Sequence, residues 1–203
     1  MAAARGVPPE AVSEPWHPLL AEPALAKLLG DPLVDAALEE LGRRLPPRTA
    51  LHSLRTFLLA DARARAQGVG YDRAGLLAAA VFHDTGLTGA APRVRGGFPC
   101  RSAELLDRFL AGHGVDDERR GALTRAVREH MRPFPARDAG PEARLLHFGA
   151  WLDVTGRGHG QVPGERRRLA GLAPTPWFAV SFSARVAACG VRRALPISSA
   201  PTR

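Results

Sequence analysis

Apolar residues in this chain recur three and four positions apart, in blocks separated by proline and glycine. No alternating run long enough for a confident β-strand interrupts them. This pattern predicts an all-α fold built as a helical bundle. Asp31-Pro32 offers an N-cap and a first-turn proline ahead of Leu33, Ala36, Ala37 and Leu41, and Pro46-Pro47 ends that helix. Leu51, Leu54, Phe57 and Leu58 mark the next helix, which stops near Gly68 and Gly70. Asp72 can cap a third, running through Leu76, Leu77, Ala80 and Val81 to His83 and Asp84. Helical spacing resumes from Arg101 to Leu110, breaks at Gly112-His113-Gly114, and returns from Asp116 to His130, before Pro133 and Pro135. Further helices are expected over Glu142–Val154 and from about Trp177 to Cys189. The longest irregular stretch inside the body, Thr85 to Pro99, is rich in Gly and Pro, and such stretches in compact domains usually carry function or move.

The 203 residues suffice for one well-packed domain, expected over residues 16–195. Segments 1–15 and 196–203 have no helical period and read as flexible ends. No apolar run approaches the ~20 residues of a membrane span, and MAAARGVPPE lacks the apolar core of a secretory signal. Cys100 and Cys189 form no close-spaced motif. The expected location is therefore cytoplasmic, without membrane attachment. The formal charge of +8 comes almost wholly from arginine, Lys27 being the sole lysine. That balance suits an anionic partner, but the arginines are scattered in pairs and the 6% aromatic residues do not lie among them. Single-strand binders interleave the two, so no nucleic-acid partner is expected. A homo-oligomer stays open.

The residues able to carry chemistry are His52 on one helix, the His83-Asp84 pair ending another, and Asp153 on a third. Leu76, Ala79, Ala80 and Val81 precede the pair, and Leu146 and Gly149 share a face with Asp153, so these groups point inward. Inward imidazoles and carboxylates are costly unless paired or bound to a cation. Each piece alone is a weak signal, because a His-Asp dipeptide arises often by chance and a lone histidine is more often structural. The ordered set His…His-Asp…Asp is the stronger observation. Two imidazole nitrogens and two carboxylate oxygens suit one divalent ion such as zinc, manganese or ferrous iron.

The segments HSLRTFLL (52–59), AAVFHDTGL (79–87), GFPCRSAELLDRFLAGHGVD (97–116) and LLHFGAWLDVTG (145–156) resemble the HD-domain superfamily. They are most similar to its cyanamide hydratase-like branch, over about Pro32 to Gly190. The resemblance implies an α-helical domain holding one divalent metal, often zinc, through His52, His83, Asp84 and Asp153. Two-metal members carry a further histidine at the position of Phe98, so a mononuclear site is implied. That branch follows this phenylalanine with an acidic-Val-acidic-Gly pattern, whereas this chain has Pro99-Cys100-Arg101-Ser102. The implied substrate is a small molecule other than cyanamide.

A divalent ion with an open position lowers the pKa of coordinated water from about 15.7 to as low as ~7. The expected activity is that of a metal-dependent hydrolase or hydratase adding water to an electrophilic centre of a small-molecule substrate. Asp84 and His130 are the candidate proton-handling residues. For the substrate pocket the candidates are Arg55, Phe98, Cys100 and Arg101, although Arg55 reads first as one half of a structural ion pair, and Phe98 and Trp151, which could wall the pocket, read first as apolar packing. Gly86 is expected to permit a sharp turn beside the metal. His113, His147 and His159 read as structural or surface residues. The alternatives are an HD-type phosphohydrolase acting on nucleotides or phosphate esters, and a helical binding module without catalysis.

Overall fold

The computed structural model describes residues 14–88, 96–175 and 178–194, with side chains of the last segment up to 187. Ten α-helices are found among them: α1 (His17–Leu20), α2 (Pro23–Ala26), α3 (Pro32–Arg44), α4 (Pro47–Gln67), α5 (Arg73–Phe82), α6 (Phe98–Gly112), α7 (Asp117–Glu129), α8 (Pro141–Thr155), α9 (Glu165–Leu172) and α10 (Phe178–Ala194). Short 3-10 turns occupy Thr85–Leu87 and His159–Gln161, and no strand occurs among the described residues. The all-α class expected from the periodicity is what the chain adopts. The flexible-end expectations for residues 196–203 and for 1–13 lie outside the described residues.

Local chemistry sets the helix ends. Asp31 accepts from the backbone N–H groups of Leu33 (2.9 Å) and Val34 (3.2 Å), Asp72 from that of Gly75 (3.0 Å), and Asp116 from that of Arg119 (2.9 Å). Gly68 and Gly156 close α4 and α8 in the left-handed region, at φ 64° and 77°.

Two helices form the interior. Every residue of α4 from Thr49 to Ala62 is buried, as is every residue of α5 from Gly75 to Phe82. A helix buried all round must be enclosed by others. Here α8 packs along α4, α3 covers α5, and α6 and α7 pack on each other and on α5. One apolar cluster runs from Trp16 to Ala173. Among the described residues no helix is long and apolar enough to cross a membrane.

Three features depart from the sequence expectations. Helix α6 begins at Phe98 and not at Arg101, because Pro99 occupies the first turn, where proline costs no hydrogen bond. Helix α9 and the single turns α1 and α2 were not anticipated. Four residues cannot display a period, and α9 buries only Leu169. Gly86 does not take a left-handed turn. A side chain there would strike the Phe98 carbonyl, and its N–H donates to Ser102 Oγ at 2.9 Å. Closeness to α6 is what requires glycine at that position.

Gly149 marks the tightest helix contact, since a Cβ there would overlap the backbone carbonyl of Thr56 on α4. Gly149→Ala is therefore expected to destabilise the fold by about 1–3 kcal/mol through overpacking. Gly121→Ala, at an exposed and open helical position, is expected to stabilise it by ~0.5–1 kcal/mol. Urea unfolding of both variants checks the contrast; two effects of equal sign and size would show that α4 and α8 do not approach this closely.

Candidate metal centre

Four elements converge at one end of the buried pair of helices. His52 and Arg55, three residues apart, share one face of α4. His83 is the residue at which α5 ends, with helical dihedrals (φ −57°, ψ −30°). Asp84 follows at φ −110°, ψ 3°, and this change of backbone direction brings its carboxylate beside the imidazole of its neighbour. His130 ends α7 in the same manner as His83 ends α5. His83 and Asp84 have no exposed surface, and His52 and His130 expose 1%.

The Nδ1 atoms fix the tautomers. Nδ1 of His83 donates to the Ala80 carbonyl at 2.7 Å, and Nδ1 of His130 to the Val127 carbonyl at 2.6 Å, each three residues back in its own helix. Nδ1 of His52 donates to Asp153 Oδ2 at 2.7 Å. Carbonyl and carboxylate oxygens only accept, so all three Nδ1 atoms carry hydrogen, and Nε2 is the nitrogen each ring can offer to a metal. Those Nε2 atoms gather around Asp84. Oδ2 lies 3.2 Å from His83 and 3.5 Å from His52, Oδ1 lies 3.6 Å from His130, and the Nε2 atoms of His52 and His83 are 3.2 Å apart. None of the contacts to Asp84 has hydrogen-bond geometry, so both its oxygens and His130 Nε2 are buried without a partner.

A second buried carboxylate shows how unusual this is. Asp61, on α4, accepts from the Tyr71 hydroxyl at 2.7 Å and from Arg65 Nε at 2.8 Å, and has Arg73 at 3.3 Å. Burial alone would push the Asp84 carboxyl upward, but the closeness of the His83, His130 and His52 imidazoles holds it below the usual carboxylate range. Burial lowers the basicity of His83, and the adjoining Asp84 more than restores it, for a net rise. His130, where burial dominates, is held below the ordinary imidazole range.

His52, His83 and Asp84 form a buried group whose ligand atoms lie within 4.8 Å of one another and can hold a metal ion. Asp153 stands outside that group. Its Oδ2 is taken by His52 Nδ1, and its Oδ1 accepts from Arg55 Nε at 2.8 Å and from Arg55 Nη2. It therefore sits behind His52 and orients the ring, in place of the direct ligand role expected from the sequence. Burial opposes its ionisation, and His52 and Arg55 override burial and hold its carboxyl low. Arg55 continues to the Ala173 carbonyl (3.1 Å) and Thr175 Oγ1 (2.8 Å). His130, expected as a proton-handling group beside the site, is the fourth group to aim an unpartnered atom at the centre.

A cavity of about 320 Å³ opens above the three imidazoles, between α8 and α10. Arg55, Phe98, Cys100 and Arg101 are not among the residues lining it. Arg55 is engaged by Asp153. Phe98 packs its ring 5.8 Å from that of His130, and Cys100 packs against the Gly96 backbone in the first turn of α6, beside Arg101. The walls include Trp151, whose Nε1 donates to the His130 carbonyl at 3.0 Å, and Phe182. Phe178 and Phe182 lie over His52 with ring centroids 4.9 and 5.6 Å away. These two were missed, although their four-residue spacing on an apolar helix was a readable signal. His147, read as structural, is held at the Arg132 carbonyl at 2.9 Å.

No family model matches the chain, and no curated protein matches it either.

Arg55→Met should leave Asp153 buried without its cation and cost about 3–5 kcal/mol in urea unfolding. A loss under ~1 kcal/mol, the value of an exposed pair, would contradict the buried Arg55–Asp153–His52 arrangement.

Proposed function

We propose that this chain is a metal-dependent enzyme of the HD type, one that hydrolyses or hydrates a small molecule. The observation that carries the reading is the Asp84 carboxylate, fully buried, without a hydrogen-bond donor, and faced by three histidine Nε2 atoms. Lone pairs and a negative charge directed at one point call for a cation. Imidazole nitrogens with carboxylate oxygen suit zinc, and also manganese or ferrous iron. Such an ion, when bound with an open position, supplies Lewis acidity and makes coordinated water acidic near neutral pH.

The chain's own residues supply the remainder. Asp153 and Arg55 hold the His52 ring so that Nε2 faces the centre. The carbonyls of Ala80 and Val127 do the same for His83 and His130. His130 Nε2, 3.6 Å from Asp84 Oδ1, can take up or release a proton at that atom, with Asp84 as the neighbouring acceptor. The phenylalanines over His52 exclude water from its outer face. A phosphohydrolase acting on nucleotides is less well supported, because the cavity has no arginine or lysine among its described lining residues.

Purified without chelator, the protein is expected to carry about one divalent ion per chain. Asp84→Asn and His83→Ala should retain less than a tenth of that while keeping the helical circular dichroism. Their turnover of a panel of nitriles, amides and phosphate esters should fall by at least ~100-fold relative to wild type, in line with removal of a catalytic group. Undiminished turnover by metal-stripped protein would end the reading.

A further inference from the structure

The cavity above the imidazoles is apolar on its sides. Ala150, Trp151 and Val154 of α8 face Phe182 and Val186 of α10. Among the described lining residues there is no Arg, Lys, Asp or Glu; the polar side chains are the three imidazoles, the Trp151 indole and the hydroxyls of Thr155 and Ser183. The Trp151 N–H and the Thr155 hydroxyl are already spent on the carbonyls of His130 and Trp151. Phosphate recognition draws on arginine forks, lysine or clustered backbone N–H groups. A chain with 28 basic side chains places none of them on the described walls of this space. Its volume of about 320 Å³ is roughly twice that of the ~150 Å³ apolar cavity known to accept benzene.

From these walls we infer that the cavity binds an uncharged small molecule with an apolar body, turning a single polar group toward the imidazole floor. The claim about the polar end rests on the metal reading above; the claim about the apolar body rests on the walls alone. It names the substrate class as hydrocarbon or aromatic compounds bearing one hydrolysable or hydratable group.

Straight-chain primary amides from acetamide to octanamide hold the head group constant while the hydrocarbon grows. Ligand-observed NMR titration of the full chain with this series tests the inference. Burial at ~0.8 kcal/mol per methylene predicts an affinity that rises about fourfold with each one until the space is filled, then levels. Ala187→Trp, at an exposed position on the α10 wall, should move the levelling point to a shorter amide. Adenosine monophosphate should bind more weakly than hexanamide. An affinity independent of chain length, a levelling point unmoved by Ala187→Trp, or tighter binding of adenosine monophosphate overturns the inference. Running the series in zinc and in EDTA separates it from the metal reading. The rise with chain length is expected in both conditions. A protein that takes up no zinc and still shows the rise overturns the metal centre alone.

Discussion

A carboxylate that touches no solvent and no hydrogen-bond donor is the constraint on which the centre of this bundle depends. Asp84 meets it, and Asp61, a few turns away along the buried helices, shows the ordinary alternative. Around Asp61 the chain spends a tyrosine and two arginines. Around Asp84 it places three rings whose Nδ1 hydrogens are committed to the far side. Burying an ion without compensation costs several kcal/mol, which is large against the ~5–15 kcal/mol that holds a domain together. The economical account of such a site is that its compensation arrives from outside the polypeptide.

The packing that makes this arrangement rigid is the seam between α4 and α8. Gly149 lies against the backbone of Thr56, and one turn further along α8 Asp153 meets His52 and Arg55. Residue spacing in both helices carries one contact into the other: 149 and 153 are a turn apart, as are 52 and 56. Closeness at the glycine lets a carboxylate of α8 reach an imidazole of α4 at 2.7 Å. The other two rings are set differently. His83 and His130 each end a helix and bond the carbonyl three residues back, so each ring is positioned by its own helix and needs no partner from another element.

Much of this was legible in the sequence, for identifiable reasons. Helices α3, α4, α5, α7 and α8 have long apolar stripes and explicit caps, and their limits fall within a few residues of those expected. His52, His83 and Asp84 meet as the ordered motif suggested. The role of Asp153 was not legible, because one-dimensional spacing places it on the inner face without saying which side of His52 it approaches, and Arg55 decides that. His130 carried no motif, and only the alignment of its Nε2 with Asp84 draws attention to it. The pocket residues were misplaced because the Gly- and Pro-rich stretch after Thr85 drew the expectation toward α6, whereas the walls come from α8 and α10. Short helices such as α1 and α2 contain too few residues for a period to be seen.

The central claim is that Asp84 is uncompensated by the chain itself and compensated by a cation. Unfolding free energies of the wild type and of Asp84→Asn, each in EDTA and in excess zinc, test it in one experiment. In EDTA the variant should be at least as stable as the wild type, since it removes a buried charge that nothing satisfies. In zinc at a hundred times its dissociation constant the wild type should gain about 2.7 kcal/mol and the variant almost nothing, so that the order reverses. A wild type that is more stable than Asp84→Asn by the same margin in both solutions would contradict the account, because the imidazoles would then satisfy the carboxylate unaided.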